Sequence, residues 1–241
     1  PQAPEVIEPY GSQGLKVGVS AGAGVSAVAL DTLVNDQDTP KQLLNWSATP
    51  VSLVQLIGSA LSNRQLQVGS APDSVGFRQT TLTVTDPTAL FDTLSVRIYS
   101  ASPVTGIPVA GGLPDLIILA NTTSTLDLDD YYFDANNTDS EMTWTASGQV
   151  GVSVSINATT HSTVFTAPAV GNGVEEIVFT VADPSGNAAN DTMRVIVLNP
   201  GSVLLDTGGS VTVEQGERDT IDLVQFIQVG DPNSVRWDAN S

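Results

Sequence analysis

Apolar and polar residues alternate along most of the chain. Apolar positions recur every second residue at Leu15, Val17 and Val19, at Leu82 and Val84, and at Leu94, Val96 and Ile98. The same period returns at Val152, Val154 and Ile156, at Ile177, Phe179 and Val181, and at Met193, Val195 and Val197. Successive strand side chains point to opposite faces, so this period predicts half-buried strands with one face in a core and one in water. Asp-Pro, Ser-Gly, Gly-Asn and Asn-Asn pairs punctuate the strands, and these residues favour turns because they tolerate positive φ, fix φ or bond their own backbone. Short strands at such intervals predict β-sandwiches.

A longer period organises the strands. Residues 30–48 (LDTLVNDQDTPKQLLNWSA), 126–146 (LDLDDYYFDANNTDSEMTWTA) and 221–239 (IDLVQFIQVGDPNSVRWDA) share an apolar residue and Asp, a hydrophobic pair, a polar loop, then Trp two before Ala. Trp46, Trp144 and Trp237 are the only tryptophans and fall at intervals of about 95 residues, which marks a tandem repeat. A second marker, LTVTDP at 82–87 and FTVADP at 179–184, keeps register with the first two. The expected division is repeat 1 at 1–103, repeat 2 at 104–200, and the first half of repeat 3 at 201–241. One segment breaks the alternation. In PVSLVQLIGSALSNRQL, the residues Leu53, Leu56, Ile57, Ala60 and Leu61 stand at helical spacing. The corresponding stretch VGVSVSINATTHSTVF alternates cleanly, so a strand hairpin is expected there, with a short amphipathic helix as the alternative.

The Leu-Asp, aromatic, acidic-loop and Trp-Thr-Ala run of the second copy, followed by PheThrValAlaAspPro and AspThrMetArgVal, resembles the cadherin-like and bacterial immunoglobulin-like repeats of large surface proteins. The resemblance covers nearly the whole chain and is strongest at 113–199. It implies an all-β fold of tandem immunoglobulin-like (cadherin-like) sandwiches joined end to end, the last one incomplete. It also implies roles in adhesion, spacing from a surface, or extracellular structure. The calcium-binding relatives carry a dense Asp and Gly run before the aromatic, whereas these loops read NDQDTPKQ, DANNTDSE and QVGDPNS. Calcium needs roughly six to eight converging oxygens, so the second loop is the candidate, with Asp129, Asp130, Asp134 and Asp139 beside Glu141. Solvated turn acids are the alternative, and no cofactor is otherwise expected.

Charge and inventory narrow the function further. Twenty-six acidic residues against eight basic ones give a net charge of −18, which repels phosphate backbones and anionic membrane surfaces. Nucleic acid is therefore not an expected partner, and no apolar run reaches membrane-spanning length. The chain has no cysteine, so disulfides, thiolate nucleophiles and the usual zinc sites are absent together. It opens at Pro1 without a signal-peptide pattern and reads as a mature or excised piece. His161 is the sole histidine, in a turn-like ATTHST stretch with no nucleophile elbow nearby. It is expected to be an exposed loop residue, and no enzyme is expected. The recurring Trp fits a sandwich core better than a sugar-stacking platform. Asn45, Asn121, Asn136, Asn157 and Asn190 each begin an Asn-x-Ser/Thr sequon and are candidate glycan acceptors or ordinary turn residues.

Half a sandwich exposes unpaired strands and an apolar face. Repeat 3 therefore requires completion, by more chain or by a neighbouring subunit, and the Pro-rich segment PQAPEVIEPYGSQG is a candidate donor strand. The expected function is an extracellular structural protein, a subunit or segment of a surface fibre. Its partner is itself, as a head-to-tail homo-polymer, with glycans attached. The alternative is a cell-surface adhesin or receptor fragment that binds a protein or glycan; a carbohydrate-active accessory module is a third reading.

Overall fold

The computed structural model describes residues 1–22, 25–50, 54–57, 64–69, 74–171, 173–199, 204–205 and 227–229. Two β-sandwiches of the same strand order occupy most of them. The first contains β1 (Glu5–Val6), a short helix α1 (Tyr10–Gln13), β2 (Leu15–Ser20), β3 (Val25–Ala29), β4 (Val34–Asn35), β5 (Asn45–Thr49), β6 (Val54–Ile57), β7 (Gln65–Gly69), β8 (Gly76–Thr85) and β9 (Phe91–Ala101). The second contains β10 (Val109–Ala110), β11 (Leu116–Leu119), β12 (Thr123–Asp127), β13 (Tyr132–Phe133), β14 (Thr143–Ser147), β15 (Ser153–Ile156), β16 (Ser162–Thr166), β17 (Gly173–Ala182) and β18 (Ala188–Leu198). Beyond it lie β19 (Leu204–Leu205) and β20 (Ile227–Val229).

One sheet of the first sandwich runs β2-β9-β8-β5 and faces β3-β7-β6; in the second, β11-β18-β17-β14 faces β12-β16-β15. In both, the leading strand pairs parallel with the last one. The fold is all-β, as the alternation predicts. The segment of helical spacing forms β6 in its described part, paired antiparallel with β7. Residues 51–53 and 58–63, like Trp237 and most of the expected third repeat, lie outside the described residues.

The inward positions of each sandwich make one core. Val17, Leu66, Leu82, Val84 and Val96 join Trp46 in the first, and Phe165, Ile177, Phe179, Val181 and Met193 join Trp144 in the second. Trp46 and Trp144 are 8% and 6% exposed, so both are core residues on equivalent strands β5 and β14. The ring of Trp144 meets Tyr132 edge-on at 5.6 Å, a geometry that aromatic pairs favour.

The Asp-Pro markers have a local cause. Asp86 Oδ1 accepts the backbone N–H groups of Thr88 and Leu90 at 2.8 and 2.9 Å, closing the β8–β9 turn. Asp183 accepts the backbone N–H and the side-chain amide of Asn187, both at 2.8 Å, and closes the β17–β18 turn. The Asn187 amide is the main reason that the Asp183 carboxyl is held below its ordinary 3.8. A carboxyl depressed in the folded state stabilises above its unfolded pKa, and that stability is lost as pH falls through the folded value. Asp183→Asn is therefore expected to be less stable than the natural chain near neutrality, with the difference shrinking once pH drops below about 4. Urea titrations across that range check it, and a pH-independent difference would refute the assignment.

The amino-terminal segment, expected to be a candidate donor strand, is used within its own repeat. β1 pairs antiparallel with β4, Val6 is buried in the first core, and Tyr10 packs against it. The reason is pattern: Val6 and Val34 are opposed apolar residues on the core side of a two-residue ladder.

Candidate functional site

The joint between the sandwiches is built from the outward face of the first one. On β9 the inward positions Leu94, Val96 and Ile98 are buried as expected, but so are the outward ones, Arg97, Tyr99 and Ala101. The second repeat covers them. Across the sheet, Cα register sets Gly18, Tyr99 and Phe77 in one row. Tyr99, Ala101 and Val109 form a small apolar cluster with Phe77, Phe133 and Ala135. Val109 and Phe133 oppose one another in the β10–β13 ladder, so the first ladder of repeat 2 is the element that sits on repeat 1.

Glycine makes the approach possible. A Cβ at Gly18 would lie 2.2 Å from the Phe133 ring, and one at Gly111 would lie 2.6 Å from that of Phe77; both are impossible contacts for a side-chain carbon. Polar groups fix the register. The Tyr99 hydroxyl donates to the Gly111 carbonyl at 2.8 Å, and burial pushes its pKa far up. Lys16 donates to the Asp129 carbonyl, and its ammonium sits 4.9 Å over the Tyr132 ring. Burial lowers the Lys16 pKa, while Asp139, Asp129 and Asp130 work against the shift. Arg97 donates to the Gln13 carbonyl at 2.6 Å and stacks 4.6 Å over Tyr131. Its Nε and Nη2 are buried without a hydrogen bond. Beside this pair opens a cleft of about 610 Å³ that both repeats line, through Ser95 and Arg97 on one side and Thr125, Asp127, Asp130 and Ser162 on the other.

The candidate calcium residues fall next to the joint but do not form one ligand set. Asp129 Oδ1 meets His161 Nδ1 at 2.6 Å, Asp134 Oδ1 accepts two backbone N–H groups at 2.7 Å, Asp139 Oδ1 accepts from the Tyr132 hydroxyl at 2.6 Å, and Asp130 lines the cleft. Asp129, Asp134 and Asp139 are each drawn to a separate internal donor. Among the described residues no group of three or more His, Asp or Glu converges as metal ligands would. All five sequon asparagines are at the surface. Asn136 is tied to the joint through a hydrogen bond to the Pro103 carbonyl at 3.2 Å, and the Asn157 amide oxygen caps its own turn.

His161 is not the exposed loop residue that its sequence context predicts; it is 1% exposed. The internal repeat supplies the reason. Leu30 donates its N–H to the Arg64 carbonyl and Leu128 donates to the His161 carbonyl, so Asp31 corresponds to Asp129 and Arg64 to His161. Arg64 pairs with Asp31 and also donates to the Leu44 and Lys41 carbonyls, as His161 pairs with Asp129. A buried basic side chain paired with the acid of a 3-10 turn thus recurs in both repeats. His161→Ala is expected to leave Asp129 unpaired and to cost about 1–3 kcal/mol of stability in the second repeat. Thermal melts measure it; an unchanged midpoint would show that the pair contributes nothing.

No protein-family model matches the chain, and no curated protein matches it. Among solved structures, an endo-fucoidan hydrolase of glycoside hydrolase family 107 aligns with 16% identity and a TM-score of 0.33, over 82% of this chain and 29% of that one. The extracellular cadherin domains 1–4 of protocadherin gamma B7 align with 17% identity and a TM-score of 0.34, over 88% and 55%. Human protocadherin-24 domains EC1-2 align with 13% identity and a TM-score of 0.34, over 82% and 99%. The chain thus spans under a third of the hydrolase and about half of the gamma B7 fragment. Among the described residues no helix is long and apolar enough to cross a membrane. The all-β assignment stands on the strand order of the chain itself.

Proposed function

We propose that this chain is an extracellular, non-catalytic structural protein, a stiff segment of a surface fibre or filament in which successive repeats are locked end to end. The single observation that carries the reading is the buried outward face of β9. A flexible linker would leave Arg97, Tyr99 and Ala101 in water, whereas here a ladder from the next repeat covers them. Interfaces between domains of one chain are ordinarily polar and permit relative motion; an aromatic cluster anchored by Tyr99 and Lys16 restricts it. The role is reach and stiffness, with the net charge of −18 keeping the surface soluble. Assembly of whole chains head to tail, and glycans on the exposed sequons, belong to the same reading. Electron microscopy with intact mass on native material tests it: ordered fibres of glycan-bearing subunits are expected, and dispersed flexible particles would overturn it.

The cleft favours a second reading, an adhesin or receptor fragment whose ligand sits between repeats. Arg97, Asp127 and Asp130 together suit a polar ligand with donors and acceptors, such as a glycan or peptide segment. Glycan-array binding that is lost in Asp127→Ala would support it, and absence of binding would remove it.

A further inference from the structure

The outward face of the β2-β9-β8-β5 sheet continues past the joint to its far end, which repeat 2 leaves open. Trp46 on β5 and Val84 on β8 belong to the core, so their neighbours Asn45 and Thr85 point outward, and Cα register continues that row to Phe91 on β9. Among the described residues Phe91 is the only exposed aromatic, with 62% of its surface in water. The next row, Ser47, Thr83 and Thr93, is made of hydroxyls, and neither row holds a charge in a chain of net charge −18. This end of the face is therefore neutral and hydroxyl-bearing, with one bare ring.

Asn45 begins the sequon Asn45-Trp46-Ser47. Strand alternation puts its asparagine and serine on the outward face, both exposed, with the Trp46 indole in the core. Among the described residues no side-chain hydrogen bond ties the Asn45 amide down. The other sequons are placed differently. Asn136 donates to the Pro103 carbonyl, and the Asn157 amide oxygen accepts the N–H groups of Thr159 and Thr160. Asn190 shares its row with Thr180 and Thr145, so no ring stands in it. Repeat 2 also lacks both ends of the first row: the positions of Asn45, Thr85 and Phe91 are taken there by Thr143, Ala182 and Ala188. Acceptor and ring are present together in one repeat and missing together in the other.

We infer that Asn45 is an N-glycosylation site whose first sugar lies across Thr85 and stacks on the Phe91 ring. This rests on the reading above that the exposed sequons carry glycans, and it names the one whose glycan has a seat in the fold. Neighbouring strands lie about 4.8 Å apart, so Asn45 and Phe91 stand about 10 Å apart across the sheet, a gap that the asparagine side chain and one pyranose ring fill. The negative face of the aromatic ring attracts the polarised C–H groups of a sugar, and covering the ring removes apolar area from water. The hydroxyl row beside it offers partners to the sugar's own hydroxyls without desolvating a charge. The glycosyl donor is a lipid-linked oligosaccharyl diphosphate. The bond from Asn45 Nδ2 to sugar C1 forms as the bond from C1 to the diphosphate oxygen breaks, the amide gives up one proton, and the lipid diphosphate leaves.

The test uses the full 241-residue chain secreted by a cell that performs N-glycosylation. Glycopeptide mass spectrometry maps the five sequons, and nuclear magnetic resonance reads the sugar. The inference expects Asn45 to be occupied, with the C–H resonances of its first sugar shifted upfield and nuclear Overhauser contacts from them to Phe91. Phe91→Ala, at an exposed site outside the core, should keep the occupancy and return those resonances to the positions of a free glycan. Asn45→Gln should remove the contacts while the other sequons stay as they were. An empty Asn45 beside other occupied sequons overturns the inference and leaves the glycan reading standing; five empty sequons overturn both. An occupied Asn45 whose sugar resonances are unmoved by Phe91→Ala overturns the stacking. Concentration-dependent shifts at Phe91 would assign the ring to a second copy instead, and also overturn it.

Discussion

Replacing Gly18 with leucine is expected to pry the two repeats apart while leaving each sandwich folded. Gly18 lies on the outward face of β2, and its backbone φ is not in the left-handed region, so a side chain is tolerated by the strand. Leucine even removes the entropic cost of glycine in a strand. The difficulty lies only across the joint, where the first added carbon would stand 2.2 Å from the Phe133 ring. The atoms met are the inner ring carbons of Phe133, whose backbone is paired with Val109 and whose ring packs in the Tyr99 cluster, so little room is left for it to turn aside. Overpacking of this kind costs about 1–3 kcal/mol, and here the least costly escape is separation of the repeats. Tyr99, Phe77 and Ala101 would become wet, and the Lys16 contact to Asp129 would break. Calorimetry is expected to show the repeats unfolding with less mutual stabilisation. Hydrogen exchange should show faster exchange confined to 97–113 and 129–135. A variant indistinguishable from the natural chain would mean that the cluster around Tyr99 does not couple the repeats.

Trp144→Ala is expected to produce the largest single loss of stability, about 3–5 kcal/mol in the second repeat. The indole is 6% exposed, packs edge-on against Tyr132 and lies in the same core as Phe165, Phe179 and Met193. Collapse around the cavity is limited because β14 is held along its length by β17. Domains of this size have total stabilities of about 5–15 kcal/mol, so this repeat would be close to unfolded at body temperature. Because the repeat 2 ladder covers Tyr99, the first repeat should lose part of its stability with it. Urea denaturation followed at residues of each repeat separates the two effects. A sugar-stacking Trp would behave oppositely, losing a ligand while the melting midpoint stayed in place.

The fold was legible in the sequence because period-two alternation and a long-range repeat are statements about one chain folding against itself. Leu94, Val96 and Ile98 announce an inward face, and Trp46 and Trp144 announce equivalent strands. The joint was much less legible, because its residues are ordinary strand residues until a second body is placed against them. Gly18 reads as a weak spot in a strand, and Phe77 as a chance aromatic. The available signal was the end of β9, where RIYSA stops alternating and places Tyr99 and Ala101 on the face that Thr93 and Ser95 occupy earlier in the strand. The turn-like ATTHST context of His161 points to an exposed loop, and only the matching of the two repeats points to a buried partner. The linear alignment set Leu-Asp at 30–31 against Leu-Asp at 126–127, whereas backbone hydrogen bonds match 30–31 with 128–129. That two-residue offset hid the correspondence of the His161–Asp129 and Arg64–Asp31 pairs.

The most direct test of a locked joint uses the absence of cysteine in the chain. Single cysteines placed at the exposed positions Thr81 and Thr145 carry spin labels on the two sandwiches, and pulsed electron resonance reads the distance between them. A packed joint predicts one narrow distance distribution that broadens in the Gly18→Leu variant. A distribution already broad in the natural background, and unchanged by that substitution, would contradict it and leave two independent sandwiches on a flexible string.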